Sequence, residues 1–420
     1  MLLLGVVALL AACASGARPK IDQSRVDQLV MRGYLSDTRR AISEIAAEWS
    51  VQGETRHVEW TLPDSGSHLP LVIYLPGLGE SRAAGQGWRN SWAAAGYAVL
   101  SVQLLDEDQQ VRPPRADKAE PKDAADAERD PRVLAADRRD ALHERARQRY
   151  LGSAVRTRLG ALAALMQSLR QGIPGEEDIL PRLDLSRVAL AGFDVGAYTA
   201  MLAAGEIPSR DWIPVTLPLP LSAIVAISPF ADFSGRGFSE RYEPVRLPVL
   251  SISGSADLDA AGVVASPFLR RAPYDHLVHG PAYLLWLTGA THAVLAASQH
   301  VPGEPGTDSR NDGDEPARMA PPAGAGSGGG SPGSGGRRNG NRRSVTAGGS
   351  GLGAPRGAPR DATMSATDQA ISETLATGTS VAFLDAYLKQ DPLAQQWLGK
   401  PATDWIGGLA EWHGHPAPMP

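Results

Sequence analysis

The sequence predicts an α/β fold, an open and mostly parallel sheet with helices on both faces, and three observations carry that expectation. Short, nearly continuous apolar runs recur along the chain, as central parallel strands require because both of their faces are covered. Segments with apolar residues at helical spacing stand between those runs, which is the alternation of α/β architecture. Twice, at residues 71–81 and 188–200, a strand-like run breaks into a glycine-containing turn.

Taken in order, the first element is an apolar stretch at residues 2–12, too short to span a bilayer. It ends in Leu10-Ala11-Ala12-Cys13 and is followed by Ala14, Ser15 and Gly16. This is similar to the signal of bacterial lipoproteins. That resemblance implies a signal peptide over residues 1–12 and a lipid on the Cys13 thiol. With Ala14 rather than Asp after the cysteine, it also implies a place in the cell envelope, at the outer membrane facing the periplasm. The alternatives are an ordinary cleaved signal peptide or an apolar start with an incidental cysteine, and no Lys or Arg precedes the apolar run as the lipoprotein pattern would have it. Cys13 is the single cysteine, so the rest of the chain offers no disulfide, thiolate nucleophile or cysteine metal site.

Residues 13–55 read as a tether and helical lead-in, because Val26, Leu29, Val30, Ile42 and Ile45 fit helical spacing among polar neighbours. Strands follow at 56–62, 71–75, 97–103, 187–191, 223–227, 249–253 and 283–287. The clearest helix carries Val155, Leu159, Leu162, Leu165, Met166 and Leu169, and Ile371, Leu375, Val381, Leu384, Tyr387 and Leu388 predict a closing helix. One domain over residues 56–300 and 366–406, with a tail at 407–420, accounts for the series.

Two segments interrupt it. Residues 106–149 mix both charge signs densely and contain Pro113, Pro114, Pro121 and Pro131, which predicts a solvated loop leading into an exposed helix, with a lid over the site as the alternative. Residues 301–365 are rich in Gly, Ser, Pro and Arg, and no aromatic residue lies between Trp286 and Phe383. Such a segment cannot bury enough apolar surface to offset its ordering entropy, so a disordered insertion is expected. Arg337, Arg338, Arg342 and Arg343 could meet phosphates there, although a spacer is the simpler reading. Across the chain 41 basic residues against 46 acidic ones give a formal charge of -5, so no electrostatic footprint for nucleic acid is present.

Four segments could carry chemistry. Leu71 to Leu75 run into Pro76-Gly77-Leu78-Gly79, a turn able to aim backbone N–H groups at an anion. Val188 to Ala191 run into Gly192-Phe193-Asp194-Val195-Gly196, whose small flanking residues permit a sharp elbow with Asp194 at its tip. The strand at 249–253 leads to Asp257 and Asp259, and the strand at 283–287 leads to Thr291-His292.

In this order the segments resemble the α/β-hydrolase superfamily, and their neighbours resemble the dienelactone hydrolase and bacterial platelet-activating-factor acetylhydrolase group. The resemblance implies an α/β-hydrolase fold with Asp194 in the nucleophile position, His292 as base and Asp257 as the acid that orients it, Asp259 in reserve. It also implies an oxyanion hole from the N–H groups of Leu78 and Val195. The chain departs from the esterase pattern at Asp194, where those members carry serine, and at Pro76 and Phe193, where they carry histidine.

An aspartate attacking an ester would form a mixed anhydride while expelling a poor alkoxide, so ordinary ester hydrolysis is unattractive. Aspartate suits displacement at saturated carbon, as in haloalkane dehalogenases and epoxide hydrolases, where an alkyl-enzyme ester forms and histidine activates the water that cleaves it. Residues 228–247 leave no room for those enzymes' cap domain, and Val195 stands where the dehalogenases carry Trp. Trp88, Trp92 or Tyr150 are the candidates to replace the missing leaving-group contacts. The expectation is a hydrolase acting on a small or lipid-like substrate through a covalent intermediate, without cofactor or metal. The alternative is a non-catalytic, lipid-anchored binding or scaffold module. There Asp194 and His292 would form a residual ion pair or, with Asp257, a weak metal site.

Overall fold

In the computed structural model, residues 21–36, 39–111, 130–297 and 364–415 are described. The sheet begins as a hairpin of β1 (Ile42–Val51) and β2 (Glu54–Pro63). Its turn, Gln52-Gly53, has φ of +53° and +82°, the left-handed pair that a tight hairpin turn demands. The predicted strands follow as β3 (Leu69–Leu75), β4 (Ala98–Val102), β5 (Leu183–Phe193), β6 (Leu221–Ile227), β7 (Val249–Ala256) and β8 (Ala282–Thr291), and β9 (Ala410–His415) closes the edge.

The strand order is β1-β2-β4-β3-β5-β6-β7-β8-β9 in one nine-stranded sheet. From β4 across to β8 all neighbours are parallel, while β1, β2 and β9 pair antiparallel at the two sides. The protein is therefore an α/β protein with a mixed, mostly parallel sheet.

Alternation places successive side chains on opposite faces, and here both faces are dry. Leu71, Ile73 and Leu75 of β3 join one core with Val188 and Leu190 of β5, whereas Val72 and Tyr74 join the other with Ala189 and Ala191. The long helices divide accordingly. Helices α1 (Gln23–Arg32), α2 (Gln86–Ala94) and α6 (Ala366–Tyr387) pack on the second face, while α4 (Gly152–Gln171) and α5 (Val195–Ala203) pack on the first. Helix α3 (Pro131–Arg149) buries little beyond Leu142 and Ala146, as its mixed charges predict. No helix among the described residues is long and apolar enough to cross a membrane. All described residues fall in one compact unit.

Strand β3 lies between β4 and β5, and the chain leaves it along the face opposite to the one it takes on leaving β5. The chain therefore leaves β3 and β5 toward opposite faces at the carboxyl end of the sheet, which is the switch point at which ligands of open α/β sheets bind.

Two predicted boundaries change. Residues 42–51 form a strand and not the tail of a helical lead-in, because β1 pairs along its whole length with β2. The C-terminal tail contains β9, which lies on β8 with Trp412 stacked on Tyr283 at 5.5 Å. Cys13 with its preceding residues, and nearly all of the insertion at 301–365, lie outside the described residues.

Candidate active site

Asp194 joins β5 to α5 with φ +55° and ψ -113°. A non-glycine residue held there costs on the order of 1–3 kcal/mol and persists only where its surroundings over-determine it. The over-determination is steric. A Cβ on Gly192 would lie 2.3 Å from the carbonyl carbon of Gly196, and one on Gly196 would lie 1.9 Å from the Leu75 oxygen. Only glycines let α5 start this close to the end of β3. The Asp194 N–H donates to the Ile227 oxygen at 2.9 Å, which fixes the elbow to β6.

The Asp194 carboxylate is 3% exposed, and each of its oxygens accepts a hydrogen bond. The Leu78 N–H donates to Oδ2 at 3.2 Å, and the Tyr150 hydroxyl donates to Oδ1 at 2.6 Å. Leu78 is free to do so because the rest of its turn is held from behind. Gly77 N–H donates to the Glu80 carboxylate at 2.8 Å, and Gln103 Nε2 donates to the oxygens of Gly77 and Glu80 at 3.1 and 3.0 Å. Gly79 N–H donates to the backbone oxygen of Asp108 at 2.8 Å. Val195 opens α5, where an N–H has no acceptor within the helix. Among the described residues it makes no hydrogen bond to Asp194.

His292 follows β8, and its Nδ1 lies 2.7 Å from Oδ1 of Asp257. The hydroxyl of Ser228, at the end of β6, donates to the same oxygen at 2.8 Å and lies 3.0 Å from Nδ1; Ser253 donates to Oδ2 of Asp257 at 2.7 Å. The buried Arg270 donates to the backbone oxygens of Asp257 and Ser228 at 3.0 and 2.7 Å. Burial works against the charge of Asp257. The hydrogen bond to His292 and the Arg270 guanidinium outweigh it and hold this carboxyl below its ordinary range. Burial likewise works against an imidazolium at His292. The hydrogen bond to Asp257 and the charge of Asp194 outweigh it, so His292 titrates above its ordinary 6.5.

The structure thus brings Asp257 and His292 into direct contact and sets Asp194 close enough for its charge to act on His292. Among the described residues no hydrogen bond joins Asp194 to His292, although the Phe193 ring, next to Asp194, packs on the imidazole at 4.5 Å. Asp259 does different work, accepting from the N–H groups of Val263 and Val264. Trp88 and Trp92 belong to the core, with their N–H groups engaged by the Leu295 oxygen and Ser380. Tyr150 alone of the aromatic candidates reaches Asp194. Burial first, and then the neighbouring Asp194 charge and hydrogen bond, push its phenol far above the usual value and keep it a neutral donor. Its ring stacks on Phe230 at 4.3 Å, and Phe230 lies 5.0 Å from Tyr198. The described residues contain no group of three or more His, Cys, Asp or Glu side chains able to hold a metal ion.

Sequence reasoning missed Ser228 and Arg270. Ser228 had one usable signal, a hydroxyl directly after the buried run of β6, at the strand ends where ligands of open α/β sheets bind. No protein-family model matches the chain, and no curated protein matches it.

Proposed function

We propose that this chain is a hydrolase of the α/β-hydrolase fold that uses Asp194 as nucleophile, His292 as base and Asp257 as the acid orienting that base. The observation that carries the reading is the reception of Asp194: a strained carboxylate whose Oδ2 already meets a fixed backbone donor, beside a histidine paired to a second acid. Chain order, with the elbow first, then the acid, then the histidine, also agrees with that fold.

The chemistry suits a substrate with a leaving group on saturated carbon, such as an epoxide or a haloalkane. Oδ1 of Asp194 forms the new carbon–oxygen bond as the carbon–halogen or ring carbon–oxygen bond breaks. A halide leaves with the electron pair, or the opened epoxide oxygen takes the Tyr150 proton. His292 then removes a proton from water, and the resulting hydroxide attacks the carboxyl carbon of the Asp194 ester. Charge develops on Oδ2, where the Leu78 N–H receives it. Collapse expels the alcohol oxygen, which takes the proton back from His292, and the proton left on the Asp194 carboxyl passes to the Tyr150 phenolate where an epoxide was opened, or to solvent where a halide left. No cofactor is required. We also propose, from residues 2–16 of the sequence, a lipid anchor at Cys13 that holds the protein in the bacterial envelope, at the outer membrane facing the periplasm.

A second reading rests on one contact. Tyr150 holds Oδ1, the oxygen that must attack, and a locked carboxylate would suit a disarmed esterase kept as a binding module. The two readings separate on a panel of short acyl esters, lactones, epoxides and haloalkanes offered to wild type, Asp194→Ser and His292→Ala. The nucleophile reading expects histidine-dependent turnover of epoxides or haloalkanes by wild type, and an Asp194 ester visible by mass spectrometry in His292→Ala. Silence of the wild type, together with histidine-dependent esterase activity gained by Asp194→Ser, would overturn it.

A further inference from the structure

Asp108 lies outside the reacting groups, yet both halves of the Asp194 contact pattern lead back to it. The residue is fully buried, at 0% exposure, in the short helix Asp106–Gln109 after β4. Its carboxylate accepts from Arg158 Nε at 2.7 Å and Nη2 at 3.0 Å, and from Arg149 Nε at 2.6 Å. Arg158 Nη2 also donates to the backbone oxygen of Arg149 at 3.0 Å, which fixes the chain one residue before Tyr150. In the other direction, the backbone oxygen of Asp108 holds the N–H of Gly79, one residue after Leu78.

Stability alone is a weak account of this cluster, because desolvation offsets most of what a buried ion pair contributes. Arg158 Nη1 is moreover buried without a partner among the described residues. Position is the better account. We infer that Asp108 is a positioning residue that ties the turn at 77–80 and Tyr150 to one fixed point, so that the Leu78 N–H and the Tyr150 hydroxyl meet the two oxygens of Asp194 together. The inference rests on the reading of Asp194 as the reacting group. It gives the charged insertion at 106–149 a role beyond solvation: its two ends converge on this carboxylate, and the site is incomplete unless both are in place.

The test uses the full chain with Asp108→Asn, and with Arg149→Gln as a milder variant that leaves both Arg158 contacts intact should the first fail to fold. Asp385→Asn, in a buried cluster near the N-terminal helix, is the control for destabilisation. Amide hydrogen exchange over residues 76–81 should quicken by roughly tenfold in the Asp108 variant, and less in the Arg149 variant, but not in the control. On the substrate that wild type turns over, kcat should fall roughly 10- to 100-fold with KM changed far less, since a displaced donor acts mainly in the transition state. Unchanged exchange at 76–81, or quickened exchange with unchanged kcat, would overturn the inference. If wild type turns over no substrate, the hydrolase reading has failed, and the exchange result alone decides whether Asp108 positions the turn.

Discussion

Two buried aspartates receive tyrosine hydroxyls in this protein, and their surroundings differ in kind. Asp385 on α6 accepts from Tyr34 at 2.9 Å, Ser36 at 2.8 Å and Tyr97 at 2.5 Å, and Lys389 lies 2.6 Å away. Asp194 accepts from one hydroxyl and one backbone N–H, with no cation paired to it among the described residues. Asp385 sits in ordinary helical backbone, whereas Asp194 sits at φ +55°. A carboxylate saturated with donors and a counter-ion is a staple, and Asp385 joins the segment after α1 to the closing helix. One with few donors, a strained backbone and an imidazole beside it retains the capacity to react.

The largest expected effect breaks the comparison at its functional end. Asp194→Asn keeps the shape and an acceptor for Leu78 but removes the nucleophilic charge, so turnover should fall roughly 10⁴-fold, about 5 kcal/mol of barrier. Its folding stability should stay within about 1 kcal/mol of wild type. Steady-state kinetics beside a denaturant titration checks both, and a variant that keeps a tenth of wild-type turnover would remove Asp194 from the chemistry.

Next in size is the steric frame of the elbow. Gly196→Ala forces a Cβ to within 1.9 Å of the Leu75 oxygen, and backbone cannot yield as a side-chain tip can. A loss of roughly 3–5 kcal/mol is expected, large enough to prevent folding. Gly160→Ala, in the interior of α4 with open space around it, should instead gain about 0.5–1 kcal/mol from helix propensity. Paired thermal melts of the two variants test whether tight approach, rather than glycine as such, is what the elbow needs.

Legibility from sequence followed how local each signal is. Strands β3 to β8 were readable because both of their faces are covered and their runs are apolar. Edge strands β1 and β9 were not, since most of their side chains are exposed or half-buried and mix polarities. In the site, Asp194, Asp257 and His292 stand in short strand-and-turn contexts that a sequence displays. The partners that complete them do not. Tyr150 is 44 residues from Asp194, and Ser228 is 29 and 64 residues from Asp257 and His292. Tyr150, just past the charged insertion, stood in the sequence as one aromatic candidate among three, and nothing in the local composition of the insertion marks the buried Asp108 as different from the solvated residues around it. Only the connection from β4 to β5, which passes β3 in the sheet and brings both ends of the insertion to the turn after β3, assigns them their places.

The staple end of the comparison should respond in stability alone. Asp385→Asn removes the charge that Lys389 and three hydroxyls face, and a loss of roughly 2–3 kcal/mol is expected, with turnover unchanged. A kinetic defect in a folded Asp385→Asn protein would mean that the two aspartates are coupled through the sheet, and the contrast between staple and site would lose its force.

The smallest expected effect is the most specific to the site. Because His292 titrates above 6.5 in the folded protein, it stays protonated further into the neutral range than a free histidine, and a protonated imidazole cannot take a proton from water. Turnover should therefore rise with pH along a limb whose midpoint lies above 6.5, rather than below it. Asp194 and Asp257 both help to hold the imidazolium, so Asp194→Asn should move the His292 titration to lower pH. Asp257→Asn should do the same while also freeing the ring to take the wrong tautomer. Following the His292 ring protons by NMR across the pH range reads both shifts without any substrate. If the titration stays in place when Asp194 loses its charge, the two groups do not sense each other, and His292 does not stand where it could serve Asp194 as base.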